Sequence, residues 1–276
     1  MAQDSPGVTQ DSNGGKLPGF DTSVANAARM WNYWIGGKDN YRVDREAGEL
    51  VREAMPALPL VARMLRRFLI TTVDELSAAG VRQFLDIGTG MPTADNTHDV
   101  AQRAAPESRI VYVDHDPVVI SHARALLTSS PAGKTDYIQA DLRDWETISA
   151  GARRTLDFSR PVGVLLIAVL HFILDAEDPH QLIARMVADL APGSYLVIAH
   201  AASDIEAGTA AAMARSYNAT SSLNITPRDR ATVARFFDGM ELTGRGLQPL
   251  AQWRGTSPDT SSEPGLSCYC GIARKP

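Results

Sequence analysis

Apolar residues fall into two kinds of pattern along this chain, and the change comes near Gly80. Before it, from Ser23 onward, they recur every three or four residues. Met30, Trp31, Trp34 and Ile35 form a broad stripe over 25–35, and Gly36-Gly37 ends it. A charged stretch, 43–55, stops before Pro56. Val61, Leu65, Phe68, Leu69, Thr72, Val73 and Leu76 then mark one long helix over 58–79, with Gly80 suited to its C-terminal cap. The spacing therefore predicts an N-terminal helical cap over 23–80.

After Gly80, short apolar runs alternate with helical spacing. Strands are expected at 83–87, 110–113, 137–140, 162–170 and 194–199, with helices at 97–105, 117–127, 145–154 and 179–190. Pro117 is well placed to open its helix. Such alternation implies a parallel sheet covered on both faces. Right-handed crossovers make it doubly wound. Residues 205–217 and 228–237 read as helices. The last two strands, 242–249 and 267–273, are joined by a polar linker, GTSPDTSSEPG, with no helix between, so an antiparallel hairpin is expected. The fold class is α/β: a doubly wound, mostly parallel seven-stranded sheet over 81–276, finished by that hairpin.

Composition narrows the setting. The chain has 276 residues, 44% of them hydrophobic, and a net charge of −5. That suffices for one sizeable core and lacks the broad basic surface that nucleic acid demands. Residues 1–22 are polar and rich in Gly, Ser and Asp, which predicts a disordered tail and no apolar leader. The longest apolar run, 162–170, is too short to cross a bilayer. Cys268 and Cys270 are the two cysteines; at that spacing they share one strand face, do not bridge, and make no metal motif. A cytoplasmic protein with a small-molecule ligand, no metal and no membrane partner is the expectation. The pattern leaves the oligomeric state open.

In a doubly wound sheet the ligand sits at the carboxyl ends of the strands, where the strand order reverses. Asp86, Asp114 and Asp141 end three successive strands there, and Gly88 and Gly90 occupy the first turn. Glycines let backbone amides approach a ligand and adopt turns costly for other residues. Asp114 follows Gly90 at about the spacing of an acid that accepts a ribose diol. An acid after the third strand can face an adenine edge. A dinucleotide turn would carry a third glycine, but Thr93 stands in its place, and Pro92 biases Met91 away from helix. No helix N-terminus then meets a pyrophosphate, and no G-x-x-x-x-G-K-[ST] element is present for a triphosphate. A zwitterionic nucleoside without phosphates suits this turn, which points to S-adenosyl-L-methionine.

The run Leu85-Asp86-Ile87-Gly88-Thr89-Gly90 resembles the first motif of class I methyltransferases, Val113-Asp114-His115-Asp116-Pro117 the second, and Ala140-Asp141-Leu142-Arg143-Asp144 the third. Val169-Leu170-His171-Phe172 is similar to the strand-four end of small-molecule O-methyltransferases and unlike the Asn/Asp-Pro-Pro-aromatic element of base methylation. A narrower resemblance spans about 24–275, to the S-adenosyl methyltransferase family of unknown function abundant in Streptomyces and other actinomycetes. It rests on Tyr33, Gly36 to Asn40, Asp44-Arg45-Glu46, GTGMPT with Asn96, His98 and Asp99, YVDHDPVV, HARAL, QADLRD, AVLHF, APGSYLVIAH, ARFFDGMEL and Trp253-Arg254. Leu65 and His115 stand where the family usually has Asn, and no polar role is carried over for Leu65. The resemblance implies the fold and the cofactor, with Asp86, Gly88, Thr89, Gly90, Asp114, His115, Asp141, Leu142 and Ala168 around it. It implies no substrate.

Methyl transfer from a sulfonium to O, N or C of a small molecule asks the protein mainly to position two partners. A hydroxyl acceptor also gains from a base. His171, at a strand end, is the foremost candidate; His200 and His98 are others, and proximity without a base is the competing mechanism. The stretch Tyr33 to Asn40 is expected to form a lid, with Tyr33 over the substrate, Lys38 on the methionine carboxylate and Gly36-Gly37 as hinge. Asn96 and His98 are expected near the amino-acid end of the cofactor. Two alternatives stay open: a non-catalytic binder of S-adenosylmethionine or its product, and an NAD-dependent oxidoreductase.

Overall fold

The computed structural model describes residues 23–244, 246–253 and 266–276. The expected tail, Arg254 and the polar linker lie outside the described residues. Five parallel strands grow from the five apolar runs: β1 (Gln83–Ile87), β2 (Arg109–Asp114), β3 (Lys134–Gln139), β4 (Gly163–Ile167) and β5 (Tyr195–Ala201). Helices α4 (Thr97–Ala104), α5 (Pro117–Leu126), α6 (Trp145–Ala152) and α7 (Pro179–Ala188) make the crossovers. Before β1 come α1 (Ala27–Trp34), α2 (Arg42–Ala54) and α3 (Leu58–Ala78). After β5 come α8 (Ala207–Thr220), α9 (Arg230–Ala234) and three further strands, β6 (Glu241–Leu242), β7 (Gln248–Pro249) and β8 (Cys268–Arg274).

The strand order is β3-β2-β1-β4-β5-β8-β6, and β7 also pairs with β8. Strand β8 runs antiparallel to β5, Tyr195 opposite Arg274 through Ala201 opposite Cys268. The expected single strand over 242–249 is two short pieces instead. Leu242 faces Ala273, whereas Gln248 faces Cys270, so the register slips by several residues between them. Gly246, at φ +64°, donates its N–H to the Thr243 carbonyl and closes the resulting bulge. The two pieces share one edge, so the sheet has seven positions.

Side chains alternate between two cores, as the pleat requires. Phe84, Ile110, Tyr112, Val197 and Ala199 point to the face covered by α1, α2, α3 and α8. Leu85, Val111, Val113, Leu196 and Ile198 point to the face covered by α6, α7 and the segment after α9. Helix α3 belongs to the first core as much as to the cap: Phe68 is fully buried and meets Trp253 edge-on at 4.7 Å. Such an aromatic pair adds about 0.5–1.5 kcal/mol beyond its buried area. Cys268 and Cys270 are free, buried and on that same face.

A buried ion pair fixes α1 on α2. The Asp44 carboxylate accepts from Arg29 Nε at 2.9 Å, from the Asn26 backbone N at 2.9 Å and from the Tyr41 backbone N at 2.8 Å. The strand order reverses between β1 and β4, and the carboxyl ends of both open beneath α1, α3 and α8.

Candidate active site

Strand β1 ends in a buried acid, because Asp86 points to the same face as Phe84. Its Oδ2 accepts the Thr97 hydroxyl at 2.6 Å. Burial pushes its carboxyl up to about 6, while the Thr97 hydroxyl and the Arg66 guanidinium pull it down. The chain then turns through Gly88 (φ +73°) and Gly90 (φ +67°), and Gly88 N donates to the Val113 carbonyl at 2.8 Å. A Cβ on Gly88 would lie 2.5 Å from Val169 Cγ2, so β4 and β1 can approach only over a glycine. A Cβ on Gly90 would meet nothing within 4 Å, because it would project into the cavity.

Asp114 ends β2. Its Oδ2 accepts Gly90 N at 2.9 Å and its Oδ1 accepts Asp116 N at 3.0 Å. A carboxylate has about four acceptor positions, so lone pairs remain for a ligand. His115 Nδ1 lies 3.5 Å from Asp114, which raises the imidazole above the ordinary histidine range. Strand β4 stops at Ile167, earlier than expected, because Ala168 takes a left-handed φ of +56°. Strain of this kind in a non-glycine residue gathers at ligand sites. The next residues form a short 3-10 turn, Leu170–Phe172, that carries His171.

These parts meet in one cavity of about 180 Å³. Asp86, Gly88, Thr89, Gly90, Asp114, His115, Ala168 and His171 all line it. A smaller adjoining hollow brings Asp141 and Leu142 beside Gly88, Asp114 and His115. Asp141 is exposed and pairs with Arg143 at 3.1 Å, which also holds Glu177 at 2.6 Å.

His171 has no hydrogen-bond partner at its buried Nδ1. Burial, with His200 and Arg228 nearby, holds its imidazole well below the ordinary range. His200 is placed differently. Its Nδ1 is 2.8 Å from the Ala201 carbonyl and its Nε2 3.0 Å from Arg228 Nη1, and burial drives it down to about 3. Because Arg228 can only donate, Nε2 accepts and Nδ1 carries the hydrogen. Arg228 also donates to the Leu170 and Ile173 carbonyls and to Asp175, which ties down the loop bearing His171.

Four expected site residues stand outside the cavity lining. Tyr33 donates its hydroxyl to Glu49 at 2.5 Å on the far side of α1, and Lys38 is exposed. Asn40 locks the Gly36-Gly37 turn by donating to Asn32 Oδ1 and the Gly37 carbonyl, both at 2.9 Å. The roof comes instead from the inner face of α1, through Ala27, Ala28, Trp31 and Trp34. Asn96 flanks α4, its backbone N donating to the first-turn Asp99 at 2.8 Å. His98 is buried, its Nδ1 2.8 Å from the Tyr112 hydroxyl. Arg66, absent from the expected site, lines the cavity with a buried Nε that has no partner.

The family model described as S-adenosyl methyltransferase matches residues 15–276. The chain belongs to this family. It is a methyltransferase dependent on S-adenosyl-L-methionine. Two solved structures support the assignment. A DUF574 family protein from Streptomyces avermitilis is 39% identical, over 93% of this chain and 99% of that one, with a TM-score of 0.88. A protein from Thermobifida fusca, provisionally assigned as a methyltransferase, is 36% identical over 94% and 97%, with a TM-score of 0.86. A plantazolicin methyltransferase bound to a triazolic desmethyl analogue and S-adenosylhomocysteine shares the fold alone, at 13% identity over 90% and 96% and a TM-score of 0.50. A search of curated proteins gives no significant match.

The residues present fit this methyltransferase's cofactor. Gly90 leaves open space where a ligand backbone would pass, and Arg66 Nε is an orphaned donor suited to a carboxylate. They suit a pyrophosphate less well. Helix α4 starts only at Thr97, and Asp99 already occupies its N-terminus. No described helix is long and apolar enough to cross a membrane.

Proposed function

We propose that the enzyme methylates O, N or C of a small molecule, with the cofactor across the carboxyl ends of β1, β2 and β4 and the acceptor in the apolar part of the same cavity. The observation that carries this is continuity: one cavity runs from the Gly88–Gly90 turn and Asp114 to the ring of His171. Asp114 would accept the ribose hydroxyls, Asp141 and Leu142 would border the adenine, and Arg66 would take the carboxylate of the amino-acid end. Thr89, His115 and Ala168 would complete the seat. Tyr33, Asn96 and His98 act at a distance, by fixing α1 and α4, and the exposed Lys38 takes no part in the seat.

When bound, the cofactor supplies a methyl group on a positively charged sulfur, which passes to the acceptor's lone pair as the carbon–sulfur bond breaks to leave a neutral thioether. The chain's part is alignment and exclusion of water. Its neutral imidazole lets His171 take up the proton that a hydroxyl or N–H acceptor releases. His200 is committed on both nitrogens and serves the loop instead.

Calorimetric titration of three variants with S-adenosylhomocysteine and with adenosine tests the seating. Asp114→Ala is expected to weaken both by about 1.5–3 kcal/mol, the size of charge-assisted hydrogen bonds. Arg66→Gln should weaken the first and spare adenosine, and His171→Gln should spare both. Indifference to Asp114→Ala and Arg66→Gln alike would place the ligand elsewhere.

A further inference from the structure

The cavity has two chemically distinct ends. At the strand ends it carries Arg66, Asp86, Asp114 and His115. The wall built by α1, α3, α8, the segment after α8 and the turn that follows β4 presents Trp31, Leu58, Met213, Tyr217, Ile225 and Phe172. Among the described residues, the one charged side chain that these helices contribute to the lining is Arg66 of α3, which stands at the strand-end side, against Ala94 and Asp95. Trp34 Nε1, in the same wall, donates to the Gly48 carbonyl at 3.2 Å.

We propose that the acceptor is an uncharged, largely apolar aromatic molecule presenting one hydroxyl or ring N–H to His171. The inference rests on the seating described above and names the substrate class of that same site. A carboxylate or phosphate here would be buried without a counter-charge. Arg66, the nearest cation of the lining, stands at the cofactor end and donates to the Ala94 and Asp95 carbonyls at 3.0 and 2.6 Å. An ammonium would fare no better. Asp86 accepts the Thr97 hydroxyl, and the lone pairs that Gly90 and Asp116 leave on Asp114 belong to the cofactor seat. Burying an unpaired ion costs several kcal/mol in practice, enough to exclude either class at ordinary concentrations.

The rings favour a flat partner. Phe172 meets His171 at 4.5 Å and Tyr217 at 6.0 Å, and Trp31 stands edge-on to Trp34 at 6.1 Å and 73°. Edge-to-face and offset contacts with such a rim stabilise an aromatic ring beyond its buried area. Among the described residues that line this space, His171 carries a ring whose Nδ1 has no hydrogen-bond partner. With its lone-pair nitrogen turned to this space, a neutral imidazole accepts one hydrogen bond from a hydroxyl or N–H donor. In the reaction, the acceptor's oxygen or nitrogen forms the new bond to carbon, and its proton goes to His171.

Three probes test this, naphthol, naphthoate and naphthylmethylammonium, which share a ring system and differ in charge. S-adenosylhomocysteine is titrated first. Failure to bind overturns the seating and takes the acceptor class with it. The saturated protein is then titrated with each probe. Naphthol is expected to bind at least about tenfold more tightly than either ion. Equal or tighter binding of naphthoate or of naphthylmethylammonium, or no binding of naphthol, overturns the acceptor class and leaves the cofactor seat standing. Ala28→Phe, which puts a ring into this space, should weaken naphthol at least about tenfold and leave S-adenosylhomocysteine within about twofold. Unchanged naphthol affinity in that variant would overturn the location. If the variant does not fold, the ranking of the three probes on the native chain decides alone.

Discussion

Alanine at Gly88 and at Gly90 separates what the turn does for folding from what it does for binding. Both glycines have left-handed φ, so each substitution carries about 1–2 kcal/mol of backbone strain. Each also restricts the unfolded chain, which returns about 0.4–1 kcal/mol. These two effects are shared. The difference is steric: the new methyl at Gly88 would lie 2.8 Å from Val169 Cβ and 2.5 Å from its Cγ2, whereas at Gly90 it meets nothing within 4 Å. Overpacking of a tight core costs about 1–3 kcal/mol, so Gly88→Ala should be less stable than Gly90→Ala by that amount. Val169→Ala in the Gly88→Ala background should recover part of it, because the Cγ2 contact goes while the Cβ contact stays, seen as a favourable coupling in a double-mutant cycle. Gly90→Ala should instead weaken S-adenosylhomocysteine, because its methyl enters the seat. Urea unfolding gives the stabilities and calorimetry the affinities. Equal destabilisation by the two alanines, with no coupling to Val169, would refute the account of the turn.

Asp44→Ala leaves Arg29 buried without its partner and strips an acceptor from Asn26 N and Tyr41 N, so unfolding should become easier by about 3–5 kcal/mol; a loss below about 1 would contradict the pair's burial. Asp86 has a folded value near 6 against an ordinary 3.8. The folded state therefore holds this proton after the unfolded state has released it. Its contribution is present below about pH 4 and is lost as pH rises to about 6, roughly 3 kcal/mol in all. The gap in unfolding free energy between the native chain and Asp86→Asn, followed from pH 4 to 6, should drift by about 2 kcal/mol of that total against the native chain; a flat gap would refute the shift.

The strand ends were legible because they depend on local order. An apolar run of five, an acid and a glycine turn must place Asp86, Gly88, Gly90 and Asp114 at one edge of a parallel sheet, whatever the loops do. Ala168 and His171 follow from the same rule at β4. The N-terminal cap was harder. Which face of α1 looks inward is set by the Arg29–Asp44 pair and by contact with α2, neither of which periodicity reports. Tyr33 and Lys38 therefore point away, while Trp31 and Trp34 form the roof. A signal for Arg66 was present: Ala62, Arg66, Leu69 and Val73 fall on one row of α3, so this arginine sits on the buried stripe. The broken strand at 242–249 turns on a bulge at Gly246, a local insertion that alternation cannot foresee.

The central claim is that the turn from Gly88 to Pro92 cradles an adenosyl sulfonium. Parallel calorimetric titration of the purified protein with S-adenosylmethionine, S-adenosylhomocysteine and NAD addresses it most directly. The account predicts micromolar binding of the two adenosyl compounds and none of NAD. Binding of NAD, with neither adenosyl compound bound by protein shown to be folded and ligand-free, would contradict it.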